Sequence, residues 1–367
     1  MRKRYRINYF RLAFVIILFG VLIAGIVALI STIVNAISNG DDEDIAVSNG
    51  KVVYREYDFD QISQVDKDNE EQIATEHPAI ISETFDFGDE IYSQYGVLVD
   101  LQTNTVIAQR NADERMYPAS LTKIMTLIVA VENIDDFDAT FIMTSEIIDP
   151  LLQQSASVAG FASGEECLVK DLLYGLIMPS GADASTALAI YVADSEEAFV
   201  DLMNQKAEAL GLEDTHFTNT SGLHNDNHYS TALDFAVILK YAMDNELCRE
   251  VLSQFQYTTA VTEQHPEGIA LTSDLFARMY GDEAEGHTIL GGKTGFTDQA
   301  GHCLGTFAKN NENGNEYLLI LSKASGSKWY PVYDTELVYE YLNDIDDDNN
   351  TDDESKNSDE ASEDTAG

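Results

Sequence analysis

Three short strings in this chain of 367 residues carry side chains whose types and spacing suit acyl transfer: Ser120-Leu-Thr-Lys123, Ser180-Gly-Ala182 and Lys293-Thr-Gly295. A serine hydroxyl is a weak nucleophile at its ordinary pKa and needs a base beside it. A serine and a lysine at i and i+3 meet on one face when the segment is helical. The lysine serves as base only when desolvation or a nearby positive charge lowers its pKa. Lys293 offers that second charge. The chemistry in prospect is attack of Ser120 on a carbonyl, with neutral Lys123 taking the hydroxyl proton.

Such residues need a scaffold to bring them together. Tyr95 to Leu101 alternates as a strand, Gln102 to Asn104 is turn-like, and Thr105 to Gln109 is the returning strand. Ser120 to Glu132 reads as an apolar helix buried on most sides. Leu168–Met178, Ala184–Val192, Glu196–Leu210 and Ala232–Met243 read as further helices. Thr306–Ala308 and Tyr317–Ser322 return to strand around a polar hairpin, and Glu336–Leu342 closes as a helix. Strands at both ends with a long helical middle predict an α+β fold. Residues 90–343 form the predicted catalytic domain, long enough to bury a substantial core.

The wording around the three strings is more specific than the strings themselves. The first sits in Tyr117-Pro-Ala-Ser-Leu-Thr-Lys-Ile-Met-Thr126, and the second in Asp171-Leu-Leu-Tyr-Gly-Leu-Ile-Met-Pro-Ser-Gly-Ala-Asp-Ala184. The third reads Gly292-Lys-Thr-Gly-Phe-Thr297, followed by Ala300-Gly-His-Cys-Leu304. S-x-x-K, S-D-N and K-T-G mark penicillin-binding proteins and class A β-lactamases. With Met203-Asn204, Leu210-Gly211 and Phe217-Thr-Asn-Thr-Ser-Gly-Leu223 between them, the chain resembles the low-molecular-weight D-alanyl-D-alanine carboxypeptidases, serine peptidase family S11. The resemblance runs from about Tyr92 to about Leu342.

That resemblance implies a transpeptidase/β-lactamase-like fold: an antiparallel sheet flanked by helices, beside a mostly helical subdomain, with the site between them. It implies removal of the terminal D-alanine from peptidoglycan stem pentapeptides through an acyl-enzyme on Ser120, with no metal or cofactor. Ser180 would relay a proton to the leaving amine, with Lys293 behind it. Lys293 and Thr294 of the Lys293-Thr294-Gly295 string would bind the substrate carboxylate. The backbone N–H groups of Ser120 and Phe296 would hold the oxyanion. β-Lactams, which resemble the D-Ala-D-Ala end, would acylate Ser120. One position departs from the family pattern: Ala182 stands where an asparagine amide usually contacts the S-x-x-K lysine and the substrate backbone. Two alternative readings are a β-lactamase and a non-catalytic wall-binding or sensor protein.

The ends point to a membrane. Residues 12–37 are almost unbroken apolar, long enough to span a bilayer. The basic segment 1–11 before them carries Arg2, Lys3, Arg4, Arg6 and Arg11 and no acid, which predicts a cytoplasmic N-terminus and an exported remainder. An uncleaved signal-anchor is the preferred reading over a cleaved signal peptide. The expected location is therefore the cell membrane, single-pass, with the catalytic domain outside. Residues 38–89 read as an acidic stalk and 344–367 as a disordered acidic tail. The formal net charge is −43, and all 64 acids follow the apolar segment, so nucleic acid is not an expected partner. Cys167, Cys248 and Cys303 suggest no disulfide framework. His224-Asn-Asp-Asn-His228 lacks the glutamate of a metallopeptidase helix and reads as a polar loop near the cleft. The aromatics from Trp329 to Tyr341 read as packing.

Overall fold

The computed structural model describes residues 45–48, 51–54, 77–279 and 284–342. The chain divides into two units, Met1–Gln61 and Ile62–Gly367. In the first, β1 (Ile45–Ser48) and β2 (Lys51–Tyr54) form an antiparallel hairpin with Ile45 opposite Tyr54.

The second unit is built on a six-stranded sheet. Its strands are β3 (Ala79–Asp86), β4 (Tyr95–Asp100), β5 (Thr105–Arg110), β10 (His287–Thr297), β11 (Gly301–Asn310) and β12 (Glu316–Ala324), in the order β10-β11-β12-β4-β5-β3. All neighbours are antiparallel except β3 and β5. The sheet is thus mixed rather than antiparallel throughout as expected. The reversal after β3 crosses the end of β5, where the Phe87 amide donates to Gln109 O at 2.8 Å. The Arg110 guanidinium also donates there to the carbonyls of Phe87, Gly88, Ile91 and Ser93. β4 then pairs one place inward, which leaves β3 parallel to β5. Residues 79–86 fall within the segment read as stalk, so that reading is corrected: at least this stretch is an edge strand of the sheet.

Helices cover both faces because the central strands are apolar on both. On β12, Tyr317, Leu319 and Leu321 share one core cluster with Val332, Val338, Tyr339 and Leu342 of the closing helix, residues 330–342. Leu318 and Ile320, which alternate with them, are equally buried. α6 (Ala232–Asp244) packs against β12 and β4. The helical middle consists of α1 (Thr122–Asn133), α2 (Ser145–Gln153), α3 (Val169–Ile177), α4 (Ala182–Ala193) and α5 (Glu196–Ala209) before α6, with α7 (Glu246–Ser253) after it. Two small two-stranded antiparallel sheets, β6 (Thr140–Ile142) with β7 (Glu166–Leu168) and β8 (Gln256–Thr258) with β9 (Ala270–Thr272), and a one-turn α8 (Phe276–Met279) complete it. α1 is enclosed from Thr122 through Ala130, as its composition predicted.

Of the closing aromatics, Tyr339 is buried, whereas Trp329, Tyr333 and Tyr341 are exposed, so packing accounts for only part of that group. All three cysteines are buried and free. Among the described residues no helix is long and apolar enough to cross a membrane. Residues 12–37 and 344–367 lie outside the described residues.

Candidate active site

Ser120 lies in a 3₁₀ turn, Ala119–Leu121, that feeds directly into α1. Ala119 holds φ +48°, a conformation that L residues rarely adopt, and so sets the serine at the head of the helix. Lys123, in the first turn of α1, is only 2% exposed. Its Nζ lies 3.2 Å from Ser120 Oγ and donates to the Ser221 carbonyl at 2.7 Å. A neutral amine can make that donation and still offer its lone pair to the serine. Burial pushes the Lys123 pKa well below its usual value, and the Lys293 charge pushes it further. Asp183 and Asp274 act the other way.

The loop that carries Ser221 is shaped by Asn219. Its Oδ1 accepts the Gly222 amide at 2.7 Å and the Ser221 amide at 3.2 Å, and its Nδ2 donates to Leu223 O at 2.9 Å. Gly222 has φ +80°, and a β-carbon there would fall 1.8 Å from the Ala119 carbonyl oxygen. Only glycine lets this loop close on the serine turn. His228 seals the contact. Its Nδ1 accepts the Thr218 amide at 3.1 Å, which leaves the proton on Nε2 to be donated to Thr122 Oγ1 at 2.8 Å. Burial depresses its pKa to about 3, so the ring is neutral. The 224–228 segment is thus a loop against the site. Among the described residues no group of three or more His, Cys, Asp or Glu is placed to hold a metal.

Ser180 adopts φ +62° in the turn before α4, and its Oγ is buried without a hydrogen-bond partner. Ala182 opens α4, and its amide donates to Ser157 O at 2.8 Å. Asp183 does not replace the missing amide: its carboxylate accepts the Ala159 amide at 2.7 Å and the Gly160 amide at 3.2 Å, pinning the neighbouring loop.

Lys293 sits on β10 opposite Gly305, past an irregularity between Ile289 and Gly291. It is 1% exposed, and Nζ donates to the Thr294 carbonyl at 2.9 Å. Burial lowers its pKa to about 7; Asp274 opposes the shift and Arg278 adds to it. β10 runs against the serine turn: a β-carbon on Gly295 would lie 3.0 Å from the Ser120 amide nitrogen. Thr294 is buried. Phe296 is half exposed and stacks on His302 with ring centroids 4.4 Å apart.

The structure therefore brings Ser120, Lys123 and Gly295 into contact and places Lys293 close enough to act on Lys123. Ser180 makes no hydrogen bond to either lysine. The arrangement supplies a hydroxyl beside a desolvated amine, with backbone amides and a second amine nearby, which is equipment for acyl transfer. Sequence reasoning quoted the 217–223 stretch without giving it a task; Asn219 three residues before Gly222 was the available turn signal.

A family model described as D-alanyl-D-alanine carboxypeptidase, peptidase S11, matches residues 81–320. The chain is 34% identical over 220 residues to D-alanyl-D-alanine carboxypeptidase DacF of Bacillus subtilis, covering 58% of this chain and 53% of the relative. It is 32% identical over 225 residues to DacA of Escherichia coli, covering 59% and 52%. The chain thus spans about half the length of these two relatives. It spans 74% of the D-alanyl-D-alanine carboxypeptidase of Streptomyces sp. strain K15, at 32% identity and covering 57% of this chain. The crystal structure of the Streptomyces K15 DD-transpeptidase superposes with a TM-score of 0.60 at 28% identity, covering 69% of this chain and 96% of that one. With a transpeptidase-like α+β fold, and a family model that spans more than half of its length, the chain belongs to the peptidase S11, D-alanyl-D-alanine carboxypeptidase, family.

Proposed function

We propose that this protein is a serine-type D-Ala-D-Ala carboxypeptidase that trims the terminal D-alanine from peptidoglycan stem pentapeptides. The observation that carries this reading is the Lys123 amine, enclosed and 3.2 Å from Ser120 Oγ. In the proposed cycle Ser120 attacks the carbonyl between the two D-alanines and Lys123 takes its proton. Ser180, whose Oγ has no other partner, passes a proton to the leaving amine. Lys293 and Thr294 receive the free carboxylate, and the amides of Ser120 and Phe296 hold the oxyanion; losing one such donor typically costs about 3 kcal/mol. Water then hydrolyses the acyl-enzyme. β-Lactams enter by the same route.

The location proposed with this function is the cell membrane. The apolar run at 12–37, with five basic residues before it, supports a single-pass anchor that leaves the catalytic unit outside.

The test is release of D-alanine from diacetyl-Lys-D-Ala-D-Ala, alongside labelling by a fluorescent penicillin. Both activities are expected, with a long-lived penicilloyl adduct, and both vanish in Ser120→Ala. Rapid turnover of penicillin would point to a β-lactamase, and binding without D-alanine release to a sensor. Full labelling of Ser120→Ala would overturn the nucleophile assignment.

A further inference from the structure

Four aromatic side chains stand together at the surface, and none belongs to the core cluster beneath them. Tyr92, Trp329 and Tyr333 are each more than a third exposed. Tyr92 lies face to face on Tyr330, ring centroids 4.0 Å apart and planes 6° from parallel. Trp329 and Tyr333 are one helical turn apart, with the Tyr333 amide donating to Trp329 O at 3.0 Å. The group is held in place from below. The Asp334 carboxylate, fully buried, accepts the Tyr92 and Ser93 amides at 2.8 Å each and the Ser93 hydroxyl at 2.6 Å, which pins this segment to the closing helix. Tyr330 packs on Gly326, where a β-carbon would meet the ring at 3.0 Å. Rings already fixed in place bind a ligand without the entropy cost of ordering them.

Their position in the fold lies on the way out of the active site. In the proposed cycle the substrate carboxylate sits at Lys293 and Thr294 and the scissile carbonyl at the Phe296 amide. The stem peptide therefore runs along β10 toward Thr297 and leaves the sheet at that end. Phe296 pairs with His302, and His302 with Ala324, at the same end. Two strand spacings, about 10 Å, separate Phe296 from Ala324. Trp329 follows five residues later, and Gln94, two residues past Tyr92, donates its amide to Ser322 O at 3.0 Å. The four stem residues ahead of the scissile bond extend to about 14 Å, and the sugar from which they hang comes after them.

The chemistry of the surface suits that sugar. A sugar ring has an apolar face that stacks on a flat aromatic and a polar rim that forms hydrogen bonds, and tyrosine and tryptophan present the same two characters. The sugar rings of an N-acetylated glycan are uncharged, so a chain of net charge −43 does not repel them. The same charge disfavours anionic lipid headgroups and a second copy of this chain. We propose that Tyr92, Trp329, Tyr330 and Tyr333 form a platform for the N-acetylated glycan strand that carries the stem peptide. The substrate is then gripped at its sugar as well as at its terminal carboxylate. The choice of ligand rests on the carboxypeptidase reading, and the test separates the two.

Trp329 is the only tryptophan in the chain, so its emission reports on the platform directly. On the full-length protein, a soluble tetramer of N-acetylglucosamine is expected to shift that emission saturably, and Tyr92→Ala to weaken the response. D-alanine release is then compared between a free pentapeptide and the same pentapeptide attached to its disaccharide. The KM for the sugar-bearing substrate is expected to be roughly three- to tenfold lower. That advantage disappears in Trp329→Ala and persists in Tyr341→Ser, at the far end of the same helix. Emission that ignores the tetramer, or equal KM values for the two substrates, overturns the proposal and leaves the carboxypeptidase reading standing. Emission that responds to phosphatidylglycerol vesicles or to protein concentration, and not to the tetramer, overturns it in favour of a membrane or a second copy. A tetramer response in a protein that releases D-alanine from neither substrate upholds the platform and sinks the carboxypeptidase reading instead.

Discussion

Lys123 and Lys293 show how one pair of side chains can be made useful by being made uncomfortable. Each is almost completely enclosed, and burial disfavours the charged form. A working site needs Lys123 neutral to accept the Ser120 proton and Lys293 charged to hold a carboxylate. The rate of D-alanine release should therefore be bell-shaped in pH. It rises as Lys123 gives up its proton and falls around 7 as Lys293 gives up its own. A kcat/KM profile that stays flat from pH 5 to 9 would contradict this pairing. Ala182 gives a second expectation at this scale. The Lys123 amine has two hydrogen-bond neighbours, Ser120 Oγ and Ser221 O, and room in its valence for a third. A hydrogen bond between neutral groups contributes about 0.5–1.5 kcal/mol, so Ala182→Asn should speed penicillin acylation by a factor of roughly two to ten. A rate equal to or below that of the parent refutes the view that the second motif is handicapped.

The serine turn, the 217–223 loop and β10 converge on a spot where there is no room for β-carbons. At Gly222 the obstacle is the Ala119 carbonyl, with φ +80° as a second barrier, and at Gly295 it is the Ser120 amide. Gly222→Ala must push the loop off the turn, which withdraws the Ser221 carbonyl from Lys123. The expected cost is about 1–3 kcal/mol of stability and a loss of acylation of roughly a hundredfold, read by thermal denaturation and by penicillin labelling of the folded fraction. Full acylation in a folded Gly222→Ala protein would mean that this loop does not position the lysine.

The whole unit is held at its edge by a strand that looks like linker in the sequence. β3 pairs with β5, Arg110 clamps the reversal that follows, and Phe87 and Ile91 enter the core cluster of the closing helix. A chain shortened to begin at His77 and end at Asn343 should therefore keep its acylation rate in solution. One that begins at Asp89 discards β3 and Phe87, and should unfold at a temperature several degrees lower, since losing a buried phenylalanine costs about 3–5 kcal/mol. Equal melting temperatures for the two would show that the edge strand contributes nothing.

How much of this was legible in the sequence depended on how local the cause was. Ser120 and Lys123 meet because helical spacing brings i and i+3 together, and β4, β5, α1 and α6 follow from apolar periodicity confined to their own residues. The residues flanking the three strings carry the family resemblance, and with it the fold. β3 escaped because Ile80, Ile81 and Phe85 remain exposed, so its pattern lacks a buried face, and its partner lies about 25 residues downstream. The Lys123 contact to Ser221 and the seal made by His228 were invisible for a like reason. Each joins residues far apart in the chain through a carbonyl or a ring nitrogen, and such couplings leave no periodicity. The sequence by itself determined which side chains could do acyl chemistry and on which fold. Only the tertiary structure decided how dry the two amines are, what surrounds them and where β3 belongs, because burial and charge proximity are properties of the packed chain.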